Sequence, residues 1–408
     1  MIIILALMGA CIGSLVNYCI YNLGYQRWPI SPFSRPNPNN PRTFVHYIPI
    51  LGWLNRRSER NEDDQRIWFR PFAIEWSLLV AIPLFYVWHQ ANGMTGGVAA
   101  PAGWTTIWFV GHSILFVLLL VATFIDFDQR IIPDSITVTG TFIALTIAAF
   151  YPGFRLPEVT GNIAGPVVDS IDFADGANKP AWHYSVIGLI VSIAIFWTWI
   201  LALLPKLPLL ALNWLSLKKV FVSTCRLLQK NNLKARERSR RMGWTFLFLG
   251  LIGTFGIVAA WVLMPAARWD SFFGALVGLG FGGMMVWSVR IVASHSLGQE
   301  AMGFGDVTLM AMIGAFLGWQ ASLITFALSP FAALAIVLVN FLVTKENELA
   351  FGPYLCLGAL ITVLAWKFIW PMLRPEFFAM PSLLVGVLTM SLAMLAVMML
   401  GIRKLKGM

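Results

Sequence analysis

The feature that most constrains this chain is the recurrence of apolar runs, most of them near twenty residues, separated by polar and basic segments. A helix needs about 20 apolar residues to cross the hydrocarbon core of a bilayer. In lipid every backbone N–H and C=O must find its partner within the protein, which makes the helix the spanning unit for runs of this length. The runs lie near 2–24, 72–89, 105–125, 136–151, 183–204, 244–264, 271–290, 306–319, 320–343, 352–371 and 381–402. They predict an all-α polytopic membrane protein with about eleven transmembrane helices. The stretch 306–343 reads as two spans, with one long kinked helix as the alternative. Composition agrees, since only 12% of the 408 residues are charged, half of the about 25% usual in soluble domains.

Loop charges supply a second test. Segment 25–70 carries eight arginines, among them Arg56, Arg57 and Arg70, and segment 205–243 carries ten Lys or Arg against the single Glu237. The tail holds Arg403, Lys404 and Lys406, whereas 152–182 is acidic, with Glu158, Asp169, Asp172 and Asp175. With the N-terminus outside, every strongly basic loop falls in the cytoplasm, as the positive-inside rule requires. The net charge of +10 is thus an orientation signal and gives no reason to expect nucleic acid. The run 2–21 has neither a basic region before it nor a small-residue cleavage site, so it reads as a retained first span. Four scattered cysteines without a CxxC pair, and five histidines without ligand spacing, predict no disulfide framework and no metal site.

The expected organisation is a first transmembrane helix at 1–24 and a cysteine-free cytoplasmic loop domain at 25–71. Transmembrane helices at 72–151 follow, then a periplasmic loop, two spans and a basic cytoplasmic segment at 152–265, and further spans at 266–408. Residues 25–70 are rich in Pro, Asn and Arg, which favours turns over packed helix. Residues 210–241 read as a basic amphipathic segment lying along the anionic leaflet.

Ionisable residues at span ends are the default functional candidates in such a chain. TFIDFDQRIIPDS at 123–135 places Asp126 where the third span leaves the membrane, and GFGD at 303–306 places Asp306 at the start of the eighth. FGPYLCLG at 351–358 opens the tenth span at the same side, with Gly352 and Pro353. Asp126 and Asp306 therefore share a depth although 180 positions separate them. Two carboxyls in a partly dry site cannot easily both ionise, and a shared proton leaves one acid and one base. That pair can activate a water for attack on a peptide carbonyl and protonate the departing amine. Gly303 and Gly305 are expected to clear room for substrate backbone. Asp134 with Ser135 is expected to cap the fourth span, and Asp128 to be a solvated turn residue.

These segments resemble the bacterial prepilin peptidase (type IV leader peptidase) family of GxGD intramembrane aspartic proteases. The family's catalytic pair sits in D-x-D-x-x-x-(I/L)-P-D and GxGD, which correspond to Asp126 and Asp306. GSLVNYCIYNLG at 13–24, HYIPILGWL at 46–54, RPFAIEW at 70–76 with Glu75, GDVTLMAMIGAFLGWQ at 305–320 and FGPYLCLGA at 351–359 extend the likeness in order. The resemblance implies an inner-membrane aspartic endopeptidase that cuts the basic leader from prepilins or pseudopilins of a type IV pilus or type II secretion system, with no cofactor for proteolysis. Family members have about eight spans, so 152–265 reads as an insertion, with a further span after 380. Many members bind zinc through CxxC pairs in the first cytoplasmic loop; 25–70 has no cysteine, so zinc is not expected. N-methylation, for which S-adenosylmethionine would be the methyl donor, stays open. Two other readings stay open with it: a proton-coupled transporter and a catalytically silent scaffold of a secretion assembly.

Overall fold

The computed structural model describes residues 1–24, 42–57, 68–162, 165–171, 181–203, 233–298, 302–343, 351–374 and 381–405. Its helices are α1 Ile2–Leu23, α2 Leu51–Asn55, α3 Phe69–Gln90, α4 Trp104–Gln129, α5 Asp134–Phe150, α6 Val186–Ala202 and α7 Leu233–Leu263, followed by α8 Ala266–Leu297, α9 Phe304–Leu317, α10 Trp319–Val343, α11 Gly352–Leu364, α12 Trp366–Leu373 and α13 Pro381–Leu405. The chain is a multi-pass helical membrane protein. Among the described residues four helices, α1, α3, α4 and α8, are long and apolar enough to cross a membrane, and α11 with α12, bent by 85°, make a fifth if they are one span. Each of the eleven apolar runs overlaps a helix, but α5, α6 and α9 are short, with 17, 17 and 14 residues. The 306–343 run is two helices, because Gly318 adopts φ +86° and ends α9.

The all-α expectation needs one correction. Residues Pro157–Asn162 (β1) and Gly165–Ser170 (β2) form an antiparallel hairpin, with Val159 opposite Val168 and Thr160 opposite Val167. Paired β-branched residues favour the pleated form over helix. Trp366 Nε1 donates to the Pro157 carbonyl at 2.8 Å and Arg374 pairs with Glu158, so the hairpin is tied to the α11–α12 bend. Between α1 and α3, 42–57 is more ordered than its composition predicts, with a 3₁₀ turn at Phe44–Tyr47 followed by α2. Most of the amphipathic 210–241 segment lies outside the described residues.

Helix α9 sits at the centre: every residue from Asp306 to Leu317 is buried. A helix apolar all round must be enclosed by others. Close packing comes from glycine. A Cβ on Gly278 of α8 would strike the Gly314 carbonyl of α9, and one on Gly314 would strike the Gly278 carbonyl. Without a hydrophobic drive between helices in lipid, such small-residue crossings are what let backbones approach. The α1–α3 contact is built alike, with Gly13 against the Cα of Glu75, where an added Cβ would lie 2.6 Å away.

Candidate active site

Asp126 lies one turn before the end of α4. The helix closes with the Arg130 N–H on the Asp126 carbonyl at 2.8 Å, and Arg130 takes the left-handed conformation, φ +55°. This reverses the chain, so that Ile132 and Pro133 fold back beside the helix end before α5 starts. Asp306 is the third residue of α9, and its carboxyl reaches back to accept the N–H of Gly303, the residue preceding the helix. That satisfies one of the N-terminal donors a helix leaves open. The Gly352 N–H, at the start of α11, donates to Asp126.

The two carboxyls converge. Asp126 is close enough for its charge to act on Asp306, and both act on Cys356, one turn into α11. Asp126 is 5% exposed and Asp306 8%. Two side-chain ties link these helices to their neighbours α11 and α5, and a third bond lies within α9 itself. Cys356 is hydrogen-bonded to Thr123 on α4. Thr137 of α5 donates to Thr308 of α9 at 3.2 Å, and Thr308 donates to the Gly305 carbonyl at 3.0 Å. Two buried carboxyls that act on each other's charge are not easily both ionised.

The glycines act differently from the sequence expectation. A Cβ on Gly305 would lie 2.9 Å from Ile132 Cβ and 3.3 Å from its backbone N and O, so the space is filled by Ile132 and is not open to substrate. A Cβ on Gly303 would meet only Asp306 Oδ2, at 3.8 Å, and the Gly305 nitrogen, at 3.9 Å. A Cβ on Gly352 would come within 2.5 Å of Asp126 Oδ2 and 2.8 Å of Ile132 Cδ1. Pro353 is buried in the first turn of α11, where a missing N–H costs nothing.

Two other expectations are corrected. Asp134 does not cap α5: Pro133 occupies that position, and Asp134 is the first helical residue, exposed and apart from the carboxyl pair. Proline in extended conformation leads into the helix, and the acidic residue sits in the first turn, where the helix dipole favours it. Asp128 is exposed as expected, but it lies in the last turn of α4 and Arg70 of α3 grips both its oxygens, at 2.9 and 2.8 Å. Thr123, Thr137 and Thr308 were not singled out in the sequence, because hydroxyl side chains inside apolar runs give no local signal; Ile132 fills the (I/L) position of the D-x-D-x-x-x-(I/L)-P-D pattern, but no role was assigned to it.

A second polar hub sits nearby. Glu75 of α3, 2% exposed, accepts hydrogen bonds from Ser14, Asn17, Trp53 and the Ile50 N–H. Among the described residues no three His, Cys, Asp or Glu side chains converge as a metal would need.

Residues 244–338, which include Asp306, match the model of the type IV leader peptidase family. This segment belongs to that family. The chain is similar to the prepilin leader peptidase/N-methyltransferase of Pseudomonas putida, 36% identical over 29% of this chain and 38% of the relative. It is also similar to the protein of that name from Escherichia coli K12, 32% identical over 24% of this chain and 43% of the relative. Over a longer stretch it is similar to the Aeromonas hydrophila protein, 27% identical across 39% of this chain and 49% of the relative. The matches thus span less than half the length of these type IV leader peptidase relatives. No solved structure matches.

Proposed function

We propose that this chain is an inner-membrane aspartic endopeptidase that removes the basic leader of prepilins or pseudopilins at the cytoplasmic face, with Asp126 and Asp306 as its catalytic pair. The observation that carries the reading is the meeting of two buried carboxyls from distant parts of the sequence, each steadied by the N–H of a loop glycine. The type IV leader peptidase match across Asp306 supports it independently.

In this mechanism the ionised carboxyl takes a proton from a water, which attacks the scissile carbonyl. The protonated carboxyl then hands its proton to the departing amine, and the pair exchanges roles. A helical peptide bond has its carbonyl engaged in the helix, so the cut site must unwind first. An apolar cavity of about 270 Å³ runs beside α9, lined by Ala194 and Thr198 of α6, Gly280 and Gly283 of α8, and Val307 and Ala311 of α9. Its small residues suit close approach of an apolar helix, and its α9 wall is the helix that carries Asp306. We place the hydrophobic segment of the substrate there, within an eleven-span topology. A buried carboxyl pair also fits proton-coupled transport, but both residues sit at helix ends, away from mid-depth.

The test is coexpression with candidate prepilins from the same genome, followed by mass spectrometry of the mature N-terminus. The account expects leader removal by the wild type and intact precursor with Asp126→Asn or Asp306→Asn. Full processing by either variant overturns it. The same spectra read N-methylation, the second activity in the relatives' name, which stays separate from proteolysis.

A further inference from the structure

Asp126 and Asp306 belong to helices that are separate in sequence, so something must set the distance between their carboxyls. Three strands of evidence meet at one residue outside the pair. Ile132 follows the reversal at Arg130, is 5% exposed, and turns its backbone and Cβ onto Gly305, next to Asp306. Its other end, Cδ1, lies against Gly352, whose N–H holds Asp126. One residue therefore touches both Gly305, next to Asp306, and Gly352, the donor to Asp126. The two glycines are the complementary surface: a methyl group on Gly305 would collide with Ile132, and one on Gly352 would collide with Ile132 and Asp126 together.

We infer that Ile132 is the positioning residue of the carboxyl pair, a spacer wedged between the first turns of α9 and α11 that fixes how far apart the two acids stand. It acts through the two glycines. The inference rests on the proteolytic reading only for its kinetic consequence; the spacing itself is a structural statement. Removing the side chain to Cβ leaves the Gly352 loop without its support, so Asp126 drifts relative to Asp306. A misplacement of about 1 Å at a reacting centre costs on the order of 100-fold. Ile132→Val keeps the branched Cβ against Gly305 and loses only Cδ1, so it should sit between wild type and Ile132→Ala.

Two readouts test this. In the first, Ile132→Ala lowers kcat on prepilin about 100-fold with KM nearly unchanged, and Ile132→Val recovers most of the loss. In the second, cysteines replace Asp126 and Asp306 in a chain whose four native cysteines are serines, and oxidative cross-linking between them is measured without reference to activity. The cross-link should form efficiently with Ile132 in place, fall several-fold in the Ile132→Ala background, and be intermediate with Ile132→Val, which loses Cδ1. If the cross-link falls but no variant, wild type included, cleaves prepilin, the spacing role stands and the protease reading fails. If Ile132→Ala leaves the cross-link yield at the parent level, or if the parent pair does not cross-link, the spacing role is overturned whatever the kinetics. Thermal unfolding of Ile132→Val guards against a folding defect, since that variant should melt near the parent temperature.

Discussion

Consider Glu75→Gln, which changes one oxygen for an NH₂ group inside a buried hub. Glu75 Oε1 accepts from Ser14 at 2.8 Å, Asn17 at 3.2 Å and Trp53 at 2.9 Å, while Oε2 accepts the Ile50 N–H at 2.5 Å. A glutamine oriented to keep the three Oε1 bonds turns its NH₂ toward the Ile50 N–H, so two donors face each other. The opposite orientation sets the NH₂ against three donors and is worse. Losing a hydrogen bond to a charged acceptor costs about 1.5–3 kcal/mol, and stranding a buried N–H costs about 1–3 kcal/mol. Some is recovered, because Ile50 is held at φ +67°, a strain of about 1–3 kcal/mol for a β-branched residue that the lost bond no longer has to maintain. The net expectation is a loss of about 2–4 kcal/mol, concentrated where the 42–57 segment docks on α1 and α3. Thermal unfolding in detergent should show the drop, and limited proteolysis should cut 42–57 before the helical bundle opens. An unchanged midpoint with an unchanged digestion pattern would refute the reasoning.

Other expectations follow from single contacts. Asp128→Asn should leave leader cleavage intact and change stability by less than about 1 kcal/mol, because its pair with Arg70 is partly exposed and such pairs are worth little; cleavage assays beside Asp126→Asn check this. Gly305→Ala should cost about 1–3 kcal/mol through collision with Ile132, whereas Gly303→Ala, with only ordinary contacts, should unfold as the wild type does. Gly278→Ala should be as damaging as Gly305→Ala or worse, since its methyl group meets the α9 backbone at Gly314, and chemical denaturation would measure it. Ala311→Trp, which fills the cavity beside α9, should raise KM for prepilin with less effect on kcat.

Much of the architecture could be read in advance because membrane insertion is dictated by long apolar runs, and each run overlaps a helix. What could not be read was length. Gly318 ends α9 after 14 residues, and the 85° bend between α11 and α12 divides a run that looks continuous by hydropathy. The hairpin at 157–170 was hidden because a short pair of β-branched segments carries little weight against a helical background. At the site, Asp126 and Asp306 were legible as charges in apolar surroundings, but Asp128 carries the same signal and proved to be a salt-bridge partner of Arg70. Asp134 looked like a cap and was displaced by Pro133. The glycines were legible as special positions, and Ile132 as the (I/L) of the D-x-D-x-x-x-(I/L)-P-D pattern, but that they pack on one another was not, since an apolar pattern position does not say what it touches.

The most direct measurement of the central claim is the initial cleavage rate of one prepilin in liposomes by the wild type, Asp126→Asn, Asp306→Asn and the double variant. Carboxyls that share one proton act as a unit, so each single variant should lose about 10²–10⁴-fold or more and the double should be no slower than the singles. A single variant that cleaves at the wild-type rate, or losses that multiply in the double, would contradict the pairing of Asp126 with Asp306.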